Sequence, residues 1–142
     1  MLGDYQEIGR IMIEYDKKFK YFIKNALKKY DMTVAEALTL LSLFENDGQT
    51  QDQLRSTVYY DKSVMTRTMQ ALEERSLVSR SDNPDDRRSW FFHLTDAGRE
   101  LEPEIIEALR NWCNYAFAGM NDEDSHQLMQ IMMRVQSNIN KG

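Results

Sequence analysis

At 142 residues the chain is the length of one domain, and its 42% hydrophobic and 29% charged content is that of a soluble globular protein. No run nears the ~18 apolar residues of a membrane span and no leader pattern opens the chain, so a cytoplasmic location without membrane contact is expected. The net charge of −5 is segregated: residues 17–30 carry six lysines and no acid, and residues 50–95 balance seven basic residues against seven acidic ones. A phosphate-binding protein needs positive potential only where it meets the duplex, so the negative total does not exclude nucleic acid.

Apolar residues at three- and four-residue steps, among them Ile8, Met12, Tyr15, Phe19, Phe22, Ile23 and Leu27, predict a long first helix over about residues 4–30. Its lysines, taken alone, read as a solvated helix face. Thr33-Val34-Ala35-Glu36 is a capping box opening a second helix, which runs through Phe44 and stops at Asn46-Asp47-Gly48. Thr50-Gln51-Asp52-Gln53 opens a short helix holding Leu54 and ending near Val58. After a turn at Tyr59-Tyr60-Asp61 comes a helix of about four turns, with Met65, Met69 and Leu72 on its buried stripe.

The period then changes. Residues 77–81 and 89–94 are short and rich in Val, Trp and Phe, and between them lies the charged turn Asp82-Asn83-Pro84-Asp85-Asp86-Arg87-Arg88, which reads as a β-hairpin. Thr95 caps a return to helix, and Pro103 should kink that helix or mark a fresh start at its first turn. Leu101, Ile105, Leu109, Trp112, Ala116 and Phe117 continue the stripe towards Gly119. Asn121 caps a last helix with Asp122-Glu123-Asp124 in its first turn and Leu128, Ile131, Met132, Val135 and Ile139 on its apolar face.

Helix, short helix, turn, longer helix and hairpin, in that order, are the signature of a winged helix-turn-helix within a mainly α fold. The major groove admits one helix, whose outer face must carry donors and small polar groups. Opposite Met65, Met69 and Leu72 the fourth helix presents Lys62, Ser63, Thr66, Arg67 and Gln70. Arg can fork onto guanine and Gln onto adenine, while Ser and Thr reach phosphates or base edges. Any amphipathic helix has a polar face; the hairpin tip is what favours DNA. Arg87 and Arg88 stand on an exposed turn where packing requires neither, and an arginine on a narrow loop suits the minor groove. Asp86 is placed to hold a tip arginine towards the duplex.

From Thr33 to about Leu101 the chain resembles the MarR family of bacterial winged-helix transcription regulators. The most specific likeness is the wing, Asp82 to Arg88, followed by Leu94-Thr95-Asp96-Ala97-Gly98, similar to the family's Asp-x-Arg element and closing Leu-Thr-x-x-Gly. The resemblance implies winged-helix DNA binding by residues 32–98, flanked by dimerisation helices at 1–31 and 99–142. Ser63, Thr66, Arg67 and Gln70 would then face the major groove and Arg88 the minor groove, with Asp86 orienting it. Three positions depart from the family pattern: Arg55 where a small residue is usual, and Tyr59 and Ser76 where glycine is frequent. A left-handed backbone at either of the last two would be strained.

The apolar helices at both ends call for a partner, and a two-fold dimer is the common closure. Ile8, Met12, Leu109, Leu128, Ile131, Met132, Val135 and Ile139 are its expected interface. The resemblance further implies an effector pocket, for which Tyr15, Phe19, Phe22 and Phe44 would suit a hydrophobic or phenolic molecule; each reads equally as core. A single cysteine, Cys113, excludes an internal disulfide, and with only His93 and His126 no zinc site or other cofactor is expected. Cys113, beside Trp112, is expected as a small buried hydrophobe. No phosphate-cradling glycine loop or nucleophile–base pattern points to an enzyme. The expected function is sequence-specific repression at a pseudo-palindromic operator. The competing reading is a winged-helix module that binds protein and has no operator of its own, although such a wing would more naturally present apolar anchors.

Overall fold

The computed structural model describes residues 2–142. Its first helix, α1 (Leu2–Ala26), is followed by a 3-10 turn (Lys28–Tyr30), then α2 (Val34–Glu45), β1 (Gln49–Thr50), α3 (Gln51–Val58), α4 (Lys62–Glu74), β2 (Val78–Asp82), β3 (Trp90–Leu94), α5 (Asp96–Glu100), α6 (Glu102–Ala116) and α7 (Asp122–Ile139). The mainly α class and the small wing agree with the sequence. So do the caps: the Thr50 hydroxyl accepts the Gln53 N–H at 3.2 Å while Gln53 accepts the Thr50 N–H at 2.9 Å. Asn121 and Asp124 make the same reciprocal pair. At α2 only half the box forms. Thr33 accepts the Glu36 N–H, but the Glu36 carboxylate takes the Thr33 hydroxyl and the Arg75 guanidinium.

Two features differ from expectation, and the start at Pro103 takes one of its two expected forms. The first helix ends at Ala26, and its last turn tightens into the 3-10 segment, closed by Asp31 at φ 51°. The wing gains a third strand. Gln49 and Thr50 pair antiparallel with Phe92 and Phe91, so the sheet order is β1-β3-β2. The helix opened by Thr95 stops at Leu101, and α6 starts afresh at Glu102 with Pro103 in its first turn, where a missing N–H costs nothing. Cys113 is corrected: it is exposed, one residue and about 100° round α6 from buried Trp112.

Residues 1–112 and 113–142 form two separate units. In the first, Ile23 and Leu27 of α1 are buried, as are Leu40 and Leu43 of α2, Leu54 of α3, and Met65, Met69 and Leu72 of α4. Arg75, just past α4, donates to the Tyr30 and Asp31 carbonyls and pairs with Glu36, whose side chain is only 8% exposed. That buried carboxylate makes the link between the end of α4 and α2 expensive to break. In the second unit, α7 leaves Leu128, Ile131, Met132, Val135 and Ile139 exposed at i, i+3, i+4 spacing.

Candidate nucleic-acid interface

The geometry of α4 follows from its own sequence. Asp61 caps it by accepting the Val64 N–H at 2.8 Å, and Met65, Thr68, Met69 and Leu72 turn inward. Helical periodicity then drives Ser63, Arg67 and Gln70 to the opposite side, all exposed, with Lys62 exposed at the N-terminus. Thr66 sits at the edge of that face, half-buried. Its hydroxyl donates to the Lys62 carbonyl at 2.8 Å and accepts from the Gln51 amide at 2.9 Å. Thr66 therefore ties α3 to α4, with its hydroxyl engaged both as donor and as acceptor. Gln51 is a positioning residue the sequence did not single out, because its partner lies fifteen residues away.

The wing tip is built from two side-chain turns. Asn83 accepts the Asp85 N–H at 3.0 Å, and Asp86 accepts the Arg88 N–H at 3.0 Å. Backbone bonds from Asp86 to Asn83 and from Ser89 to Asp86 close the loop. Asp86 thus acts on the backbone of Arg88 and not on its guanidinium; it sets where the arginine starts rather than pairing with it. Arg87 and Arg88 are exposed. Among the described residues no carboxylate lies within ion-pair distance of Arg67, Arg87 or Arg88.

The wing is braced against α4. Arg80 on β2 lies over the Trp90 ring of β3 at 4.5 Å and reaches Glu73 of α4 at 3.3 Å. At the base of the hairpin, Asp47 accepts the Leu94 N–H and pairs with Arg99, both at 2.9 Å. Thr95 donates to the Ser76 carbonyl at 2.7 Å and accepts the Gly98 N–H at 3.1 Å. The cross-element bonds at the hairpin base connect residues 19 to 52 apart in sequence, so local pattern alone could not disclose them.

The two positions where glycine is frequent in the family do adopt left-handed backbone, with φ 59° at Tyr59 and 57° at Ser76. Tyr59, 75% exposed, ends α3. Beside it lies an open hollow of about 580 Å³ lined by Asp52, Arg55, Ser56, Tyr59, Tyr60 and Asp61. The Arg55 Nε there is buried without a partner.

Of the expected effector residues, Tyr15, Phe19 and Phe22 gather round Trp112, with ring centroids 5.3, 5.6 and 5.5 Å from it. The Trp112 indole donates to the Tyr15 hydroxyl at 2.9 Å. Phe44 is half-buried on α2. Ile8 and Met12 are exposed on α1, and Leu109 is half-buried on α6.

A family model described as the MarR family matches residues 32–90. The chain is 25% identical over 126 residues to the HTH-type transcriptional regulator BilQ of Clostridioides difficile CD3, covering 89% of this chain and 85% of that protein. Its fold is similar to the crystal structure of a MarR transcriptional regulator from Methanosarcina mazei Go1, with a TM-score of 0.88 and 24% identity over 96% of this chain and 98% of that one. It is also similar to Bordetella bronchiseptica BpsR, in a structure described as a mechanism for regulation of DNA binding by 6-hydroxynicotinic acid. There the TM-score is 0.80, at 18% identity over 92% of this chain and 98% of the other.

Proposed function

This chain belongs to the MarR family of transcriptional regulators, and from that premise we propose that it is a homodimeric repressor that binds a pseudo-palindromic operator in double-stranded DNA. The observation that carries this reading is two kinds of DNA-suited group in one winged helix-turn-helix: the exposed Ser63, Arg67 and Gln70 of α4, and a hairpin tip closed by its own turns that bears Arg87 and Arg88 without acidic partners. In this account α4 lies in the major groove, where Arg67 and Gln70 select bases. Lys62 and Arg87 hold phosphates and Ser63 a phosphate or base edge, with Thr66 at the edge of the same face. Arg88, started in the right direction by Asp86, enters the minor groove.

Residues 32–98 form the DNA-binding region in this reading. Residues 1–31 and 99–142 supply dimer contacts through Ile8, Met12, Leu109, Leu128, Ile131, Met132, Val135 and Ile139. The two-fold would set the recognition helices about one duplex turn (~34 Å) apart. Its place of action is the cytoplasm, and its family and fold are those of regulators rather than enzymes.

A small hydrophobic or phenolic effector releases the DNA by binding better to a dimer with the wrong helix spacing. Support comes from the Tyr15, Phe19, Phe22 and Trp112 cluster, where an aromatic molecule could exchange ring contacts, with Phe44 as the remaining candidate. The similar BpsR, regulated by 6-hydroxynicotinic acid, points the same way.

The experiment is a pair of alanine variants measured on a panel of duplexes. Arg88→Ala should weaken binding by about 1–3 kcal/mol with the dimer intact. Arg67→Ala should relax base preference at one position of each half-site. Unchanged affinity for Arg88→Ala removes the wing from the interface, and a sequence-independent loss for Arg67→Ala reassigns that side chain to phosphate.

A further inference from the structure

We propose that the lysine face of α1 is a second DNA-binding surface, which grips the phosphate backbone beside the segment read by α4. Lys17, Lys20 and Lys24 share one side of α1 with Tyr21, and Lys28 follows in the 3-10 turn. All four lysines are exposed, and Tyr21 is 71% exposed among them. The stripe lies opposite Tyr15, Phe19 and Phe22, so the packing that buries one face of α1 turns the other outward.

Two of the six lysines have partners on their own helix: Lys18 pairs with Glu14 at 2.6 Å and Lys20 with Asp16 at 3.0 Å. Among the described residues, Lys17, Lys24 and Lys28 have no carboxylate within ion-pair distance. Charges left without counter-charges on an otherwise acidic chain are held apart at a cost that a polyanion would relieve.

What directs the stripe to DNA is its continuity with the reading surface. The Lys20 Nζ is 5.9 Å from the ring centre of Tyr60, and Tyr60 immediately precedes Asp61, the cap of α4. Residues 17 to 28 extend about 16 Å along the chain's helical path, enough to meet a few successive phosphates of one strand. An exposed tyrosine between lysines suits a sugar–phosphate edge, where its ring packs on sugar and its hydroxyl reaches phosphate. The surface carries no base information, so it would add affinity and footprint without changing the preferred sequence.

This inference rests on the DNA-binding reading, and its experiment separates the two. Binding of the triple variant Lys17→Gln/Lys24→Gln/Lys28→Gln to an arbitrary duplex of about four helical turns (~40 base pairs) is measured against salt. A second triple variant, Lys18→Gln/Arg110→Gln/Lys141→Gln, removes the same charge off the stripe. Glutamine is a good helix former, so circular dichroism should be unchanged for both. The stripe variant should bind about tenfold or more weakly at low salt, its log–log salt slope shallower by about 0.9 for each phosphate it no longer neutralises. The off-stripe variant should keep the wild-type slope, and sequences enriched from a random pool should be the same for all three proteins. Equal slopes for the stripe variant and wild type overturn the proposal, as does an equal loss in both triple variants. Loss of sedimentation on phosphatidylglycerol vesicles with DNA binding intact would overturn it in favour of a membrane surface. Failure of the wild type to enrich any sequence overturns the operator reading instead, and the arbitrary duplex still decides the stripe.

Discussion

Gly98 shows how a single position can be read as a motif and understood only in three dimensions. A Cβ placed there would lie 2.2 Å from the Leu77 carbonyl oxygen, which is backbone and cannot swing aside. The same Leu77 carbonyl accepts the Thr95 N–H at 3.1 Å, so the closing Leu-Thr-x-x-Gly is a place where helix start and strand start pass in contact. Tyr59 and Ser76 present the opposite case, side chains in a left-handed backbone that costs an L-residue roughly 1–2 kcal/mol. Urea unfolding should therefore give opposite signs at the two kinds of site. Gly98→Ala should lose about 1–3 kcal/mol, and Ser76→Gly should gain about 0.5–1 kcal/mol after its extra unfolded-state entropy. A neutral Gly98→Ala would mean that the strand and helix starts separate at little cost. A destabilising Ser76→Gly would mean that the serine side chain does more than tolerate its backbone. Other residue-scale properties lay outside sequence reasoning: that Asp86 engages a backbone N–H, and that Cys113 faces outward, depend on which neighbour happens to be in reach.

At the scale of elements, the order of helices and hairpin was legible because caps and periodicity are local. Thr50 with Gln53 forms the box its spacing announced, Asn121 caps α7 as expected, and Pro103 marks the new start of α6. The two-residue β1 was not legible, since nothing in Gln49-Thr50 marks a strand until Phe91 and Phe92 lie alongside. The exposed polar face of α4 could be read from its sequence, but the brace beside it could not: Glu73, Arg80 and Trp90 come from three elements. The last helix makes its own demand. Leu128, Ile131, Met132 and Val135, exposed on one side of α7, form an apolar seam that water should not wet in the working protein. Leu128→Glu with Ile131→Lys should yield monomers or unfolded chains in analytical ultracentrifugation. A folded monomer that still binds DNA as tightly would remove α7 from the assembly.

For the whole molecule, charge is segregated rather than spread evenly. The total of −5 coexists with two exposed arginines at a wing tip that also holds three aspartates, an exposed arginine on α4, and a lysine stripe that passes beside Tyr60, next to the α4 cap. The acidic remainder would repel DNA from other faces and favour one docking orientation. The likeness to the family and the winged-helix class were readable from the sequence, because a wing needs a particular turn chemistry. The aromatic cluster round Trp112 was readable only in part: its members were named, but not the indole that gathers three of them.

The central claim is that this chain reads DNA as a two-fold dimer, and selection of bound duplexes from a random pool at moderate salt tests it most directly. The expected result is an enriched inverted repeat whose half-sites are about one helical turn (~10 base pairs) apart. Binding without enrichment of any sequence, or no binding, would contradict the claim and favour a winged helix that contacts protein instead.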